Sequence, residues 1–106
     1  MKLKILNNTY EVKEVECIEH GSSNVGLIKN ITQEIFLMKS LLPEQKLQTL
    51  LHETLHSIFL QLGYSKEYED EQLIDSISTA LSLFLRENKK DIDYLIKNII
   101  EGGYKI

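Results

Sequence analysis

The sequence predicts an α+β fold in which a small antiparallel sheet, formed by residues 1–40, packs on helices formed by the rest of the chain. Apolar and polar residues alternate in the first part, as they do in strands that bury one face. Beyond residue 43, apolar residues recur every three or four positions, as in amphipathic helices. No strand-like segment separates the predicted helices, which disfavours the alternating order of a parallel α/β fold.

Two β-hairpins are predicted in the first part of the chain. The first joins strands at Leu3–Ile5 and Tyr10–Val12 through a tight turn at Asn7–Asn8. The second pairs a strand at Gly26–Ile28 with one at Glu34–Leu37, turning near residues 29 and 30. In the first hairpin, Leu3, Ile5, Tyr10 and Val12 alternate with polar residues, as in strands that bury one face.

Three helices are predicted, over residues 43–62, 66–87 and 91–100. Pro43 suits the first helical position, where its missing N–H is not needed, and Gly63 favours a C-terminal stop. The apolar stripe of the first helix comprises Leu47, Leu50, Leu51, Leu55, Ile58 and Leu62, that of the second Leu73, Ile77, Ala80, Leu81 and Phe84, and that of the third Ile92, Leu95, Ile96 and Ile99. A single domain over residues 1–106 is expected from the chain length.

Composition and charge indicate an ordinary globular protein and argue against several other classes of protein. Hydrophobic residues make up 42% and charged residues 26%, unlike a disordered chain. The net charge of −4, with scattered Lys and Arg, argues against a nucleic-acid partner. No apolar run reaches the roughly eighteen residues of a membrane span, and the N-terminus does not resemble a secretory signal. Cys17 is the only cysteine, so we expect no internal disulfide and a reducing, cytoplasmic compartment. We also expect a monomer or weak dimer.

The most informative motif is His52-Glu53-Thr54-Leu55-His56, inside the first predicted helix. Residues four apart lie on one helix face, so the two imidazoles lie side by side, as two ligands of one zinc ion do. Glu53 lies one step round the helix, where its carboxylate can accept a proton from a zinc-bound water. The motif therefore predicts a Zn²⁺ site with His52 and His56 as ligands and Glu53 as general base.

The alternative is that these are ordinary surface or core histidines. The leucine stripe centres roughly 140° from the midpoint of His52 and His56, which disfavours burial of both in the core face. H-E-x-x-H also occurs by chance, so the motif alone is only moderately specific. Its helical setting strengthens the metal interpretation, because chance matches often fall in loops or strands.

A catalytic zinc ion needs a third protein ligand, and no histidine follows His56. A carboxylate of the second helix is the natural donor, and the candidates are Glu67, Glu69, Asp70 and Glu71. Glu71 is favoured because it begins a polar stripe, continued by Asp75, Ser78 and Ser82, that can face the histidines across an antiparallel helix pair. Asp75 would then accept a hydrogen bond from one imidazole. The alternative is that these acids are solvated residues at a helix N-terminus.

These motifs resemble a known family. Thr49 to His56, followed by Glu71-x-x-x-Asp75, resembles the gluzincin pattern of zinc peptidases. Upstream segments resemble small phage- and prophage-encoded minimal zincins, related in style to the ImmA/IrrE metallopeptidases; these segments are Gly26–Ile28, Gln33–Leu37 and Leu42–Gln45. The resemblance covers roughly Gly26 to Arg86, which is most of the chain.

The resemblance implies a set of roles for the residues of this chain. His52, His56 and Glu71 would bind zinc, Glu53 would be the base, and Asp75 would support a histidine. The strand at Glu34–Leu37 would be an edge strand along which a peptide or protein substrate binds in extended form. The chain is much shorter than most peptidases of this kind, which implies a narrow target.

Three functional hypotheses follow. The first is a zinc metallopeptidase that hydrolyses a narrow protein target; the intact Glu53 favours it. The second is a non-catalytic or weakly catalytic zinc-binding interaction protein of a phage or mobile element. It is favoured because no motif identifies the side chain that would stabilise a tetrahedral intermediate. The residues that could do so are His20, Tyr64, Tyr68 and Tyr104, and the sequence does not choose among them. The third is a helical interaction module in which the motif occurs by chance.

Overall fold

The computed structural model describes residues 1–18 and 24–101, and it confirms the α+β class. Within this part of the chain, four strands precede four helices. The strands are β1 (Lys2–Ile5), β2 (Asn8–Val15), β3 (Gly26–Lys29) and β4 (Glu34–Met38). The helices are α1 (Pro43–Leu62), α2 (Ser65–Glu69), α3 (Glu71–Glu87) and α4 (Lys89–Glu101).

The sheet is mixed rather than antiparallel, which corrects the prediction. The two antiparallel hairpins form as expected, but β2 pairs with β4 in parallel, so the strand order is β1-β2-β4-β3. Val12 lies opposite Ile35 in this register, and both are buried in the core. Alternation of apolar residues predicts which face a strand buries, but it does not predict which neighbour the strand takes.

The prediction that Glu34–Leu37 forms an edge strand is wrong. β4 lies between β2 and β3, so both of its backbone edges are already hydrogen-bonded within the sheet. A peptide therefore has no unpaired edge to bind along β4. Among residues 1–18 and 24–101, the strand at this end of the sheet is β3, Gly26–Lys29, which pairs with β4 on one side only.

Both hairpin turns differ slightly from the predicted positions. Ile5 pairs with Asn8, so the first turn consists of Leu6 and Asn7, and Leu6 has a φ of 52°. Two-residue hairpin loops need positive φ angles because these match the twist of the strands. Lys29 pairs with Glu34, so the second turn spans residues 30–33.

The first helix has the predicted bounds, whereas the second is interrupted. The N–H of Leu42 donates to Gln45 Oε1 (2.9 Å) at the start of α1, and Gly63 ends it with a φ of 82°. The predicted helix over residues 66–87 is instead two helices, α2 and α3, because Asp70 caps the second of them. Its carboxylate accepts the N–H of Leu73 (3.0 Å), which is the preferred role of Asp before a helix. The last helix begins at Lys89, two residues before the predicted start.

Helix α1 packs between the sheet and α3. The core cluster consists of Ile5, Tyr10, Val12, Ile35 and Leu37, with Leu50 and Ile58 of α1 packed against it. On the other side of α1, side-chain contacts step in opposite directions along the two helices, from His56–Glu71 through His52–Asp75 to Gln48–Thr79. The two helices are therefore antiparallel, as predicted. Among the described residues, no helix combines the length and the apolar character needed to cross a bilayer.

Candidate metal centre

Helix α1 places the two imidazoles side by side, on the flank that faces α3. The ring centroids of His52 and His56 lie 5.0 Å apart, as expected for residues one helical turn apart. The exposed fraction of His56 is only 8%, because α2 and α3 contact its side chain. Glu53, which follows His52 on the helix, is only 6% exposed. The motif therefore lies at a packed surface between helices and not on a free helix face.

Glu71 contacts both imidazoles from the first turn of α3. Its Oε2 lies 3.0 Å from His52 Nε2, and its Oε1 lies 2.9 Å from His56 Nε2. One ligand atom from each of the three residues lies within 4.8 Å of the others. The structure therefore brings together the three residues that were predicted as ligands from the sequence.

The other nitrogen of each imidazole also has a partner. His52 Nδ1 lies 2.7 Å from Asp75 Oδ1, the contact expected for Asp75. His56 Nδ1 lies 2.8 Å from the backbone oxygen of Tyr68, a partner that was not predicted from the sequence. Because both partners are acceptors, we infer that each Nδ1 carries a hydrogen and donates it. In a neutral imidazole this leaves a lone pair on Nε2, directed toward Glu71.

The break between α2 and α3 explains how the Tyr68 carbonyl becomes available. The last carbonyls of a helix have no partner within that helix, and α2 ends at Glu69, one residue after Tyr68. Had α2 and α3 been continuous, the Tyr68 carbonyl would have accepted an N–H of the next turn. The signal for the break is Asp70, a favoured residue for starting a helix, although the sequence pattern alone placed it among several acids within one helix.

The set of donor atoms fits a zinc ion. Two Nε2 lone pairs and a carboxylate converge, and such a convergence needs a cation, either protons on the rings or a metal ion. Two imidazole nitrogens and one carboxylate are ligands that zinc takes in catalytic sites, where solvent or substrate completes the coordination. Asp75 and the Tyr68 carbonyl hold the two rings in the tautomer that metal binding requires.

Glu53 lies beside this group in a largely dehydrated position. Burial raises the pKa of the Glu53 carboxyl from its ordinary value of 4.5 to about 7. The charge of His52 opposes this shift, while the negative charges of Glu71 and Asp75 add to it. A carboxylate with a pKa near neutrality is well suited to accept and return a proton.

Clefts open on two sides of Glu53. One, of about 480 Å³, continues along α1 past Thr49 and Gln45. The other, of about 590 Å³, runs along β3 and is bordered by Tyr68. Both are lined by Gly26, His52, Glu53 and Glu71. A ligand lying in either cleft would therefore contact the candidate site.

Gly26 allows β3 to approach α1 closely at this point. A Cβ atom on residue 26 would lie 2.4 Å from Thr49 Cγ2, closer than two carbon atoms can approach, and 3.5 Å from Glu53 Oε2. Glycine at residue 26 therefore lets the strand pack on the helix without displacing the Thr49 side chain. This close approach also contributes to the burial of Glu53.

The small side chains of α3 have a similar effect on the helix pair. Ser78 and Ser82 follow Glu71 and Asp75 on the same stripe and are buried, with exposures of 0% and 2%. Small residues at a helix contact allow the two backbones to approach closely. This approach brings the Glu71 and Asp75 carboxylates within hydrogen-bond distance of the α1 imidazoles.

The remaining candidate residues have other surroundings. Asp70 caps α3, and Glu69 lies at the cleft beside β3. Tyr64 is exposed with its ring against Phe59, whereas Tyr68 stacks edge-on against His56 at 5.4 Å. Two further candidates, His20 and Tyr104, lie outside the described residues.

Comparisons with protein-family models, with curated proteins and with solved structures find no match for this chain. Its function therefore has to be inferred from the chemistry of the site rather than from a relative.

Proposed function

We propose that this protein is a zinc-dependent metallopeptidase, gluzincin-like in its ligands, that hydrolyses peptide bonds in a narrow protein target. The observation that supports this most directly is the convergence of His52 Nε2, His56 Nε2 and a Glu71 oxygen within 4.8 Å, beside a buried carboxylate. A purely structural metal site has no need of Glu53, and structural zinc is usually enclosed by four protein ligands, often cysteines.

Each residue of the site has a defined part in this proposal. His52, His56 and Glu71 would hold the metal, while Asp75 and the Tyr68 carbonyl orient the imidazoles. A bound zinc ion supplies Lewis acidity, which polarises the scissile carbonyl and acidifies water. Glu53 would accept a proton from the attacking water and deliver it to the leaving amine.

The substrate is proposed to bind along β3 rather than β4. β3 has an edge that does not pair within the sheet, and Gly26, Leu27 and Ile28 of this strand line the cleft that leads to Glu53. An extended peptide can add to such an edge through main-chain hydrogen bonds. We place this activity in the cytoplasm, since Cys17 is a free thiol and a reducing compartment suits it.

Metal content tests the ligand set. Protein purified without added metal is expected to contain one zinc ion per chain by elemental analysis, and Glu71→Gln is expected to lose it. Glu87→Gln, which removes the same charge from an exposed position on the same helix, is the matched control and should retain zinc. Retention of stoichiometric zinc by Glu71→Gln would remove Glu71 from the ligands.

Catalysis is tested separately with Glu53→Gln, which keeps the size of the side chain and removes the base. This variant is expected to bind zinc as the parent does and to lose hydrolysis. The matched control is Glu44→Gln, at an exposed position in the first turn of α1. A proteomic cleavage screen that finds the same cleaved peptides with the parent and with Glu53→Gln would contradict the proposed role.

A second candidate function is a non-catalytic or weakly catalytic zinc-binding interaction protein of a phage or mobile element. The observation that favours it is α4, whose large apolar side chains are exposed; these are Tyr94, Leu95, Ile96, Ile99 and Ile100. Exposed apolar surface of this kind often marks contact with another protein. In this case the parent and Glu53→Gln would bind zinc equally and would both lack hydrolytic activity.

A further inference from the structure

A chain of side-chain hydrogen bonds connects the core of the sheet to the candidate site. It begins at Tyr10 of β2, which is fully buried. The Tyr10 hydroxyl accepts a hydrogen bond from Ser57 Oγ of α1 (2.9 Å) and donates one to Asn30 Oδ1 (2.8 Å). Ser57 is also fully buried and accepts a hydrogen bond from Gln61 (2.9 Å). This end of the chain is therefore held by the packed core.

Asn30 extends the chain to the segment that holds His56. It lies in the turn between β3 and β4, and its Nδ2 donates to the Tyr68 hydroxyl (3.3 Å). The backbone oxygen of the same Tyr68 accepts the hydrogen of His56 Nδ1 (2.8 Å). Tyr68 is thus restrained by the sheet through its side chain, and it orients the His56 imidazole through its main-chain carbonyl.

Helix α2 needs such a restraint, because it has only five residues. A helix this short has few internal hydrogen bonds and is not stable without tertiary contacts. It lies between two interruptions, the left-handed Gly63 and the cap residue Asp70, so neither neighbouring helix continues into it. The position of the Tyr68 carbonyl therefore depends on the tertiary contacts of this segment, which include those of the Tyr68 side chain.

We propose that Asn30 is a positioning residue of the site: its amide links the Tyr68 hydroxyl to the buried Tyr10 hydroxyl and thereby keeps the Tyr68 carbonyl on His56 Nδ1. The proposal deepens the proposed function and rests on it where zinc binding is concerned. The orientation of His56 can also be observed in the metal-free protein, which separates the two questions. Of the two partners of the Asn30 side chain, Tyr68 is the one whose carbonyl contacts His56, so Tyr68→Phe isolates this route.

Zinc affinity in a double-mutant cycle tests this. Asn30→Ala and Tyr68→Phe each break the same hydrogen bond, and the second keeps both the ring and the main-chain carbonyl. Each is expected to weaken zinc binding about three- to tenfold in a chelator competition, because direct loss of the contact behind a metal ligand costs about 10–100-fold. The double variant should be no weaker than Asn30→Ala, because both changes remove one interaction. Losses that simply add would overturn the proposal.

The matched control is Tyr64→Phe, which removes the hydroxyl of an exposed tyrosine four residues earlier. It should leave zinc affinity within about twofold of the parent. A drop in Tyr64→Phe equal to that in Tyr68→Phe would also overturn the proposal, because it would show a general effect on the segment.

The second readout is the imidazole NMR signal of His56 in the metal-free protein. The Nδ1 hydrogen is expected to give a resolved resonance in the parent and in Tyr64→Phe. In Asn30→Ala and Tyr68→Phe it should be broadened severalfold. An unchanged resonance in both variants would contradict the proposal. If the parent binds no zinc, the proposed function fails, and this resonance alone decides the role of Asn30.

Discussion

The two imidazoles of the candidate site are held in different ways. His52 donates to the carboxylate of Asp75, whose side chain is 68% exposed. His56 donates to a backbone carbonyl, and the side chain of that same residue is linked through Asn30 to the buried Tyr10. One side of the site therefore depends on an exposed charge, which solvent and salt weaken. The other depends on neutral, partly buried hydrogen bonds, which they affect little.

The largest expected effect on zinc binding is that of removing a ligand. The same substitutions also distinguish the His52 side of the site from the His56 side. His52→Ala and His56→Ala should each lose stoichiometric zinc. In the metal-free protein, His56→Ala leaves the Tyr68 carbonyl without its donor, so the free energy of unfolding should fall by about 1–3 kcal/mol. His52→Ala leaves only an exposed carboxylate, which water solvates, so its cost should stay below about 1 kcal/mol. Urea unfolding in the presence of a chelator measures both, and equal losses would contradict the comparison.

The strand side of the site provides a purely steric contrast. Gly26→Ala places a methyl group against Thr49 Cγ2, and we expect a loss of about 1–3 kcal/mol in the free energy of unfolding. Thr49→Ser removes that methyl carbon, so adding it to Gly26→Ala should restore most of the loss. If Thr49→Ser gives no recovery, the close contact is not the cause. Chemical denaturation of the two single variants and the double variant provides the test.

A smaller effect is expected from Asp75→Asn, which keeps an oxygen acceptor for His52 and removes the charge. Zinc affinity should fall about tenfold at low salt, and less at high salt, because an exposed charge is screened. The loss in Tyr68→Phe should not depend on salt. Asp91→Asn, at an exposed position on α4, is the control for net charge. If salt changes the losses in Asp75→Asn and Tyr68→Phe equally, the two sides of the site do not differ electrostatically.

The smallest effect is expected at an exposed ion pair of the sheet. Lys13 Nζ lies 2.7 Å from Glu34 Oε2, and this hydrogen bond lowers the pKa of the Glu34 carboxyl below its ordinary value of 4.5. A lowered folded-state pKa stabilises the fold above the ordinary value, and this contribution is lost as the pH falls through the lowered one. Lys13→Gln should bring the pKa of Glu34 closer to 4.5 in an NMR titration and leave zinc affinity unchanged. A change in zinc affinity would show that the site senses distant charges.

The parts of the site that follow helical geometry were predictable, and those that depend on distant partners were not. His52, Glu53 and His56 are related by local spacing, and the i, i+4 relation between Glu71 and Asp75 is local in the same way. The contact of the Tyr68 carbonyl with His56 could not be predicted from the side-chain pattern, because every residue has a backbone carbonyl. Its availability depends on the break at Asp70, for which the cap residue was the only sign in the sequence.

The sheet and the apolar stripes show the same limit. Both hairpins join strands that are close together in the sequence and were predictable, whereas the parallel pairing of β2 with β4 joins segments that are far apart. On α3 the predicted apolar stripe included Leu81 and Phe84, yet both are exposed, and the small Ser78 and Ser82 are buried against the neighbouring helix. Periodicity indicates that a helix has two faces, but which face is covered depends on the partner.

Helix α4 shows what an uncovered apolar face means for the local stability of a helix. It has 13 residues, and a helix of this length in water is only marginally stable by itself. Within the described part of the chain, it packs with α3 alone. Its amide hydrogens are therefore expected to be replaced by deuterium sooner than those of α1, at a local opening free energy near zero. Anything that covers Leu95, Ile96 and Ile99 would slow this replacement, so deuterium uptake along α4 reports occupancy of this surface whatever the occupant is.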